Sequence, residues 1–585
     1  MSMTKELPAF DLVIRNGSVV DGSGRPSFDA DVAVKDGLIA AVGVVAGRGT
    51  TEIDAAGKLV TPGFIDIHTH YDGQAMWDER MAPSSWHGVT TVVMGNCGVG
   101  FAPVRPADRD RLIELMEGVE DIPGACLHEG LDWKWESFSE YMAALDGLPR
   151  DIDICAQLPH GPLRVYVMGE RALRQENATA ADIASMRRIA ADAIRAGALG
   201  FTTSRSILHK SSTGDKTPMY HALEDELTGI ALGLSDAGGG QLEFVSDWSQ
   251  PDPDTEFAML RRVVATSGRP CVFSLNQEHG ARSGMWLKLL DLADKATADG
   301  VTIRPVTAPR PIGSLFGLTG TQNPFEATPT YRSIAHLPVP ERVARMRDPE
   351  VRARILSEDP YGDSKFPLWG RLGHDKMYER MFLLTDPPNY EPPREESIAA
   401  MARVQGRDPR DVAYDVLLDD EGRSFLFATL TGYEGFELEP TREMLSRRNV
   451  LSGLGDGGAH VGYITDASFP TYLLMWWGRD RASGRFPVEE LVRRQTSDPA
   501  GAVGLLDRGL LKPGMKADIN VIDFERLGLA KPYVVHDLPA GGRRLLQKAT
   551  GYCATVVSGV VTYREGEGTG SLPGKLVRGA QAAPA

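Results

Sequence analysis

The sequence predicts an α/β protein, a (β/α)8 TIM-like barrel carrying a small β-sandwich domain built from both chain ends. Three observations predict it. Short alternating strands fill residues 10–60 and return after residue 509. Between them, apolar β-branched runs recur at spacings near 30, separated by helical patterns. The first of these runs ends in Pro62-Gly63-Phe64-Ile65-Asp66-Ile67-His68-Thr69-His70, and the last ends in Asp456.

The elements follow in order. Asp11-Leu12-Val13-Ile14-Arg15-Asn16-Gly17 reads as a strand closing on Asn-Gly, a hairpin signal. Asp31–Asp36 closes on Asp-Gly and feeds the strand Leu38–Gly43, so this region reads as a small antiparallel sheet. From residue 62 the rhythm becomes strand, helix, strand. Val89–Met94 is a strand closing on Gly95-Asn96-Cys97-Gly98. Residues 179–196 form an amphipathic helix ended by Gly197, and Ala198–Ser204 is the next strand. Leu242–Val245, Cys271–Leu275, Val301–Val306 and Asn449–Asp456 complete about eight units. A charged, proline-rich stretch at 311–447 reads as an insertion near the barrel mouth, a lid. The expected organisation is therefore 1–61 and 501–565 as the two parts of the β-domain, 62–500 as the barrel, and 566–585 as a flexible Gly/Pro/Ala-rich tail.

Composition narrows the function class. The chain has 585 residues, more than one simple core holds. Charged residues are 24% and hydrophobic residues 42%, ordinary for a globular protein. A net charge of −16 argues against nucleic acid and anionic membrane as partners. The five cysteines, 97, 126, 155, 271 and 553, show no CxxC and fit reduced thiols in the cytoplasm. No stretch approaches an apolar membrane span, and the N-terminus has no signal-like apolar region. A homo-oligomer remains an open reading. No G-x-S-x-G elbow and no phosphate-binding loop stands in the required setting.

His68 and His70 carry the sharpest chemical signal. Residues i and i+2 of a strand share one face, so two imidazoles project side by side, ready to grip a cation. Barrel closure brings Asp456, on the last strand, beside the first. Catalytic groups collect at the C-terminal ends of barrel strands. Zinc accepts nitrogen, sulfur and carboxylate ligands and keeps a position for water. Asp456 is the candidate catalytic base and acid. His460 either contacts substrate, orients Asp456, or is a plain loop residue. His209 follows the strand-four motif and faces the mouth or solvent. Arg205 either pairs with a substrate carboxylate or makes an ordinary salt bridge. His160 ends an intermediate strand or is structural.

Together, PGFIDIHTH, LSGLGDGGAH, LKPGMKADINVID and the split β-domain resemble the amidohydrolase superfamily across residues 10–565. Gly95-Asn96-Cys97-Gly98 and MEGVEDIPG (116–124) are similar to the N-acyl-D-amino-acid deacylase branch. The resemblance implies that Cys97 is a metal ligand, and that two more histidines end strands five and six. This chain has Glu243 in its strand-five segment and Asn276-Gln277 in its strand-six segment, with His279 beyond. Glu243 is thus a candidate oxygen ligand or substrate contact. The expected centre is one divalent ion, zinc, rather than two, held by His68, His70 and Asp456, with or without Cys97. The implied activity is metal-dependent hydrolysis of a non-peptide C–N bond in a small-molecule amide, an N-acyl amino acid or a relative. A cyclic amide or ureide hydrolase, and a non-catalytic binding or assembly protein, are the alternatives.

Overall fold

The computed structural model describes residues 9–248, 251–359 and 374–584. Eight parallel strands form the barrel, each buried on both faces as parallel strands require. They are Phe64–Asp66, Val89–Met94, Asp153–Ala156 continued by Leu158–Pro159, Gly200–Arg205, Gln241–Ser246, Cys271–Ser274, Ile303–Thr307 and Leu451–Ser452. Neighbours pair in sequence order, from Phe64↔Val89 to Thr307↔Ser452. The last strand returns to the first through a parallel bridge between Thr69 and Gly457. Ile65, Ile67, Val93, Leu199, Val272 and Leu451 share one core cluster.

Helices between the strands follow their capping residues. The predicted helix is Ala180–Ala196, where Thr179 and Asp182 form a capping box and Gly197 takes φ 108° as its stop.

Both chain ends build the β-domain, as expected. Nine strands make one sheet, in which residues from 10–62 pair with residues from 519–568. Its core joins Leu12, Ile14, Val34 and Val60 to Ile519, Val521 and Val556. The sheet is not purely antiparallel. Phe10–Val19 pairs in parallel with Gly49–Asp54 and with Leu59–Pro62. Asn16-Gly17 also does not turn. The strand runs straight through it with a bulge, Asn16 at φ 59°. A Cβ on Gly17 would sit 2.3 Å from Val60, so that position has to be glycine. Asp36-Gly37, with φ 52° and 77°, is the true hairpin.

The long insertion after strand seven carries its own core, including Phe316, Phe325, Met346, Tyr414 and Leu417. Its strands Ile312–Phe316, Leu426–Thr431 and Met381–Leu383 pair antiparallel. It docks on the barrel mouth through Leu315 N–H to Tyr463 O, 2.7 Å, and Gly432 N–H to Gln277 O, 2.8 Å.

The tail corrects an expectation. Residues 573–581 are not loose. They bridge Arg150, Ile154 and Leu505, and Val577 joins the barrel-interior cluster at the N-terminal end. Composition misled because the segment is held by backbone bonds, such as Val577 N–H to Ile154 O at 2.8 Å.

Candidate metal centre

Barrel closure sets the centre. Asp456 N–H donates to His68 O at 3.1 Å, and His70 N–H donates to Gly457 O at 2.8 Å. These two bonds fix the register of the last strand against the first. Asp456 takes φ 46°, a left-handed conformation of the kind that gathers at functional sites. Gly455 precedes it because a Cβ there would lie 2.1 Å from Asp66 Oδ2.

The side chains then converge. His68 Nε2 lies 3.4 Å from Asp456 Oδ1 and 3.4 Å from Cys97 Sγ. His70 Nε2 lies 3.7 Å from the same carboxylate oxygen. One ligand atom each of His68, His70 and Cys97 falls within 4.8 Å of the others, a spread suited to one ion. The histidines stand just past the ladder of strand one rather than within it. Their alternation survives because Thr69, between them, turns its hydroxyl to Val93 O at 2.8 Å. Cys97 sits in the tight turn Asn96–Gly98 with φ 54°, its N–H held by Glu243 Oε2 at 3.2 Å.

A carboxylate stands beside the Nδ1 side of each imidazole. Glu120 Oε1 is 3.3 Å from His70 Nδ1, and Glu243 Oε1 is 3.8 Å from His68 Nδ1. Sequence reading missed Glu120. Its signal was present: on the helix Arg109–Glu120 it falls on the same buried stripe as Leu112 and Met116. A glutamate at a core position asks for a reason.

Burial dominates the electrostatics. It pushes Glu243 up to about 8, Glu120 to about 7, Asp66 to about 8 and Asp72 to about 6. Burial also raises the Cys97 thiol, with Glu120 and Glu243 adding to it. His68 is lowered to about 4 because burial outweighs the pull of Asp456. At His70, burial is overcome by Glu120 and Asp456, which hold it at about 9. Burial works against the Asp456 anion too, but the neighbouring imidazoles of His70 and His68 keep it well below the carboxylate range. Among the described residues, no lysine or arginine pairs with these five carboxylates.

The remaining candidates divide. His460 reaches the centre: its Nε2 is 3.6 Å from Glu120 Oε2 and its Nδ1 is 3.2 Å from Tyr463 Oη. His209 is anchored by Ser204 Oγ at 2.8 Å and lies within electrostatic reach of Asp456 and His460. Arg205 is elsewhere and takes the second of its two readings, a salt bridge. Strand parity turns it outward with Phe201 and Thr203, and Glu256 Oε1 takes its Nε at 2.7 Å. His160 points into the helix layer, bonded to Thr203 and Glu226. His279 pairs with Glu434 of the insertion at 2.8 Å.

The residues fit a divalent cation. Glu120 Oε1, Glu243 Oε1, Asp66 Oδ2 and both ring nitrogens of His70 are buried without a hydrogen-bond partner. Excess buried negative charge beside two imidazoles and a thiol is the environment a cation satisfies. The amidohydrolase family profile matches residues 51–563, nearly the whole chain.

The chain belongs to the amidohydrolase family. Among similar proteins, the N-acyl-D-glutamate deacylase of Alcaligenes xylosoxydans xylosoxydans is 29% identical over 88% of this chain and 88% of its own. The D-aminoacylase of the same organism is 33% identical over 41% of this chain and 45% of its own. The crystal structure of N-acyl-D-glutamate deacylase from Bordetella bronchiseptica, complexed with zinc and a phosphonate mimic of the tetrahedral intermediate, shares the fold. It superimposes with a TM-score of 0.63 at 22% identity, covering 97% of this chain and 99% of that one. This amidohydrolase is a metal-dependent hydrolase of amide C–N bonds other than peptide bonds.

Proposed function

We propose that this amidohydrolase removes the acyl group from N-acyl amino acids, using one zinc ion held by His68, His70, Cys97 and Asp456. The observation that carries this reading is the convergence of two Nε2 atoms, a thiol and a carboxylate oxygen from strands one, two and eight. The named activities of the similar deacylases support the acyl-amino-acid class. Zinc bound there lowers the pKa of a water molecule to roughly 7 and polarises a carbonyl.

The chain's own groups do the rest. Asp456 stays anionic and borders both imidazoles. It accepts the proton of the attacking water and passes it to the leaving nitrogen. His460 and His209 border the same space and contact the substrate. A narrow cleft opens beside Asp456, lined by Gln74, Pro83, Thr465, Arg544 and Gln547. The insertion, docked on the loops after strands six and eight, serves as the lid.

Metal analysis of the purified protein, paired with a screen of N-acylated D- and L-amino acids, simple amides and cyclic imides, tests this. One zinc per chain with release of acid and free amino acid is the expected result, and His68→Ala should lose both metal and turnover. Ring opening of imides without deacylation would overturn the substrate class. Retention of metal by His68→Ala would overturn the ligand set.

A further inference from the structure

We propose that Glu120 and Glu243 are positioning residues for the two histidines, each fixing one imidazole so that its Nε2 faces Asp456. The inference rests on the one-ion reading above and adds to it a role for the strand-five position, which holds glutamate.

Both imidazoles show the same arrangement. His68 and His70 direct Nε2 to Asp456 Oδ1, at 3.4 and 3.7 Å. Both direct Nδ1 to a glutamate, Glu243 at 3.8 Å and Glu120 at 3.3 Å. The glutamates come from unrelated elements, strand five and the helix Arg109–Glu120, so no local repeat explains the match. Both are at most 2% exposed. Each turns its Oε1 to its histidine as an ion-pair neighbour rather than a formed hydrogen bond, with no other partner competing for that oxygen, and each residue is tied to the backbone beside it. Glu243 Oε2 accepts the Cys97 N–H at 3.2 Å, and the Glu120 carbonyl accepts the His460 N–H.

Chemistry assigns the role. A metal-binding imidazole offers one nitrogen as a lone pair and carries its proton on the other, and an acceptor on the far side fixes that choice. A carboxylate there also makes the imidazole more basic towards the ion. Glu243 does a second task, since the same carboxylate holds the turn that presents Cys97. Strand five thereby supports two ligands.

The test measures zinc affinity by chelator competition, the cobalt(II) absorption spectrum and the ion count for the parent, Glu243→Gln, Glu243→Ala and Glu120→Gln. Glutamine keeps an acceptor oxygen and loses the charge, and alanine loses both. Positioning predicts one ion per chain throughout, with zinc affinity about 10-fold weaker in each Gln variant and about 100-fold weaker in Glu243→Ala. The cobalt bands should shift in the Gln variants. Affinity within twofold of the parent, even with a lowered melting temperature, would show a merely structural role and overturn the proposal. A fall from two ions to one in Glu243→Gln would make Glu243 a ligand and overturn it as well. Absence of metal from the parent would overturn both this inference and the reading beneath it.

Discussion

The barrel buries charge at both ends, and the two ends treat it in opposite ways. At the floor, Asp153 opens strand three and is saturated. Arg508 Nη1 lies 2.7 Å and Lys516 Nζ 3.1 Å from its Oδ2, and the Lys575 N–H donates to its Oδ1 at 2.9 Å. Arg508 also reaches Thr91 Oγ1 at 3.0 Å and Asp507 at 2.9 Å. At the mouth, Glu120, Glu243 and Asp66 each keep an oxygen with no hydrogen-bond partner and, among the described residues, have no arginine or lysine paired with them. Burial costs a carboxylate several kcal/mol unless it is paired. The floor offsets that cost within the chain, whereas the mouth leaves it to be offset by a cation. Completeness of pairing, not burial, separates the structural cluster from the functional one.

The largest effect should come from breaking the mouth. Asp456→Asn should lower kcat by about 10²–10⁴, the scale of a lost proton-transfer group. The variant should still fold, with a lowered melting temperature, because the Asp456 charge is one the two imidazoles stabilise and asparagine tolerates φ 46°. Steady-state kinetics with calorimetry checks this, and an unfolded variant would break the contrast between the two ends.

The floor should respond the other way. Asp153→Asn should cost about 3–5 kcal/mol of stability by leaving Arg508 and Lys516 buried around a neutral group. Turnover per folded, metal-loaded molecule should be unchanged. Burial works against the Asp153 anion, but Lys516 and Arg508 hold its pKa below the ordinary value. A depressed carboxylate pKa stabilises the fold above the unfolded value, near ~3.9. That contribution is lost as pH falls through the folded value. An acid-unfolding series should therefore show the parent losing this stability below about pH 4, and Asp153→Asn lacking that step.

The smallest effect sharpens the boundary. Val577→Ala should cost about 1–2 kcal/mol, since it thins the core at the floor, and leave zinc affinity untouched. Equilibrium denaturation with chelator competition measures both.

Much of this was legible in the sequence. The recurrence of apolar runs from Phe64 to Leu451 gave eight strands, and the placement of His68, His70 and Asp456 anticipated side chains that the fold brings together. Period-2 and period-3.6 patterns report local burial, so they find strands and helices. They do not report which face of strand four meets the helix layer, and the two readings of Arg205 stayed open for that reason. Glu120 hid because a charged residue ending a helix usually faces water. Asn16-Gly17 misled because the same left-handed residues serve a bulge and a turn. The tail misled because composition carries no record of backbone bonds made to a distant strand.

Residues 573–581 are synthesised after every other segment that walls the barrel, and Val577 packs inside it. A nascent chain therefore carries all its proposed ligands, from His68 to Asp456, well before the base is sealed. A message cut short between them would encode every residue of the candidate centre and still yield a vessel without a bottom.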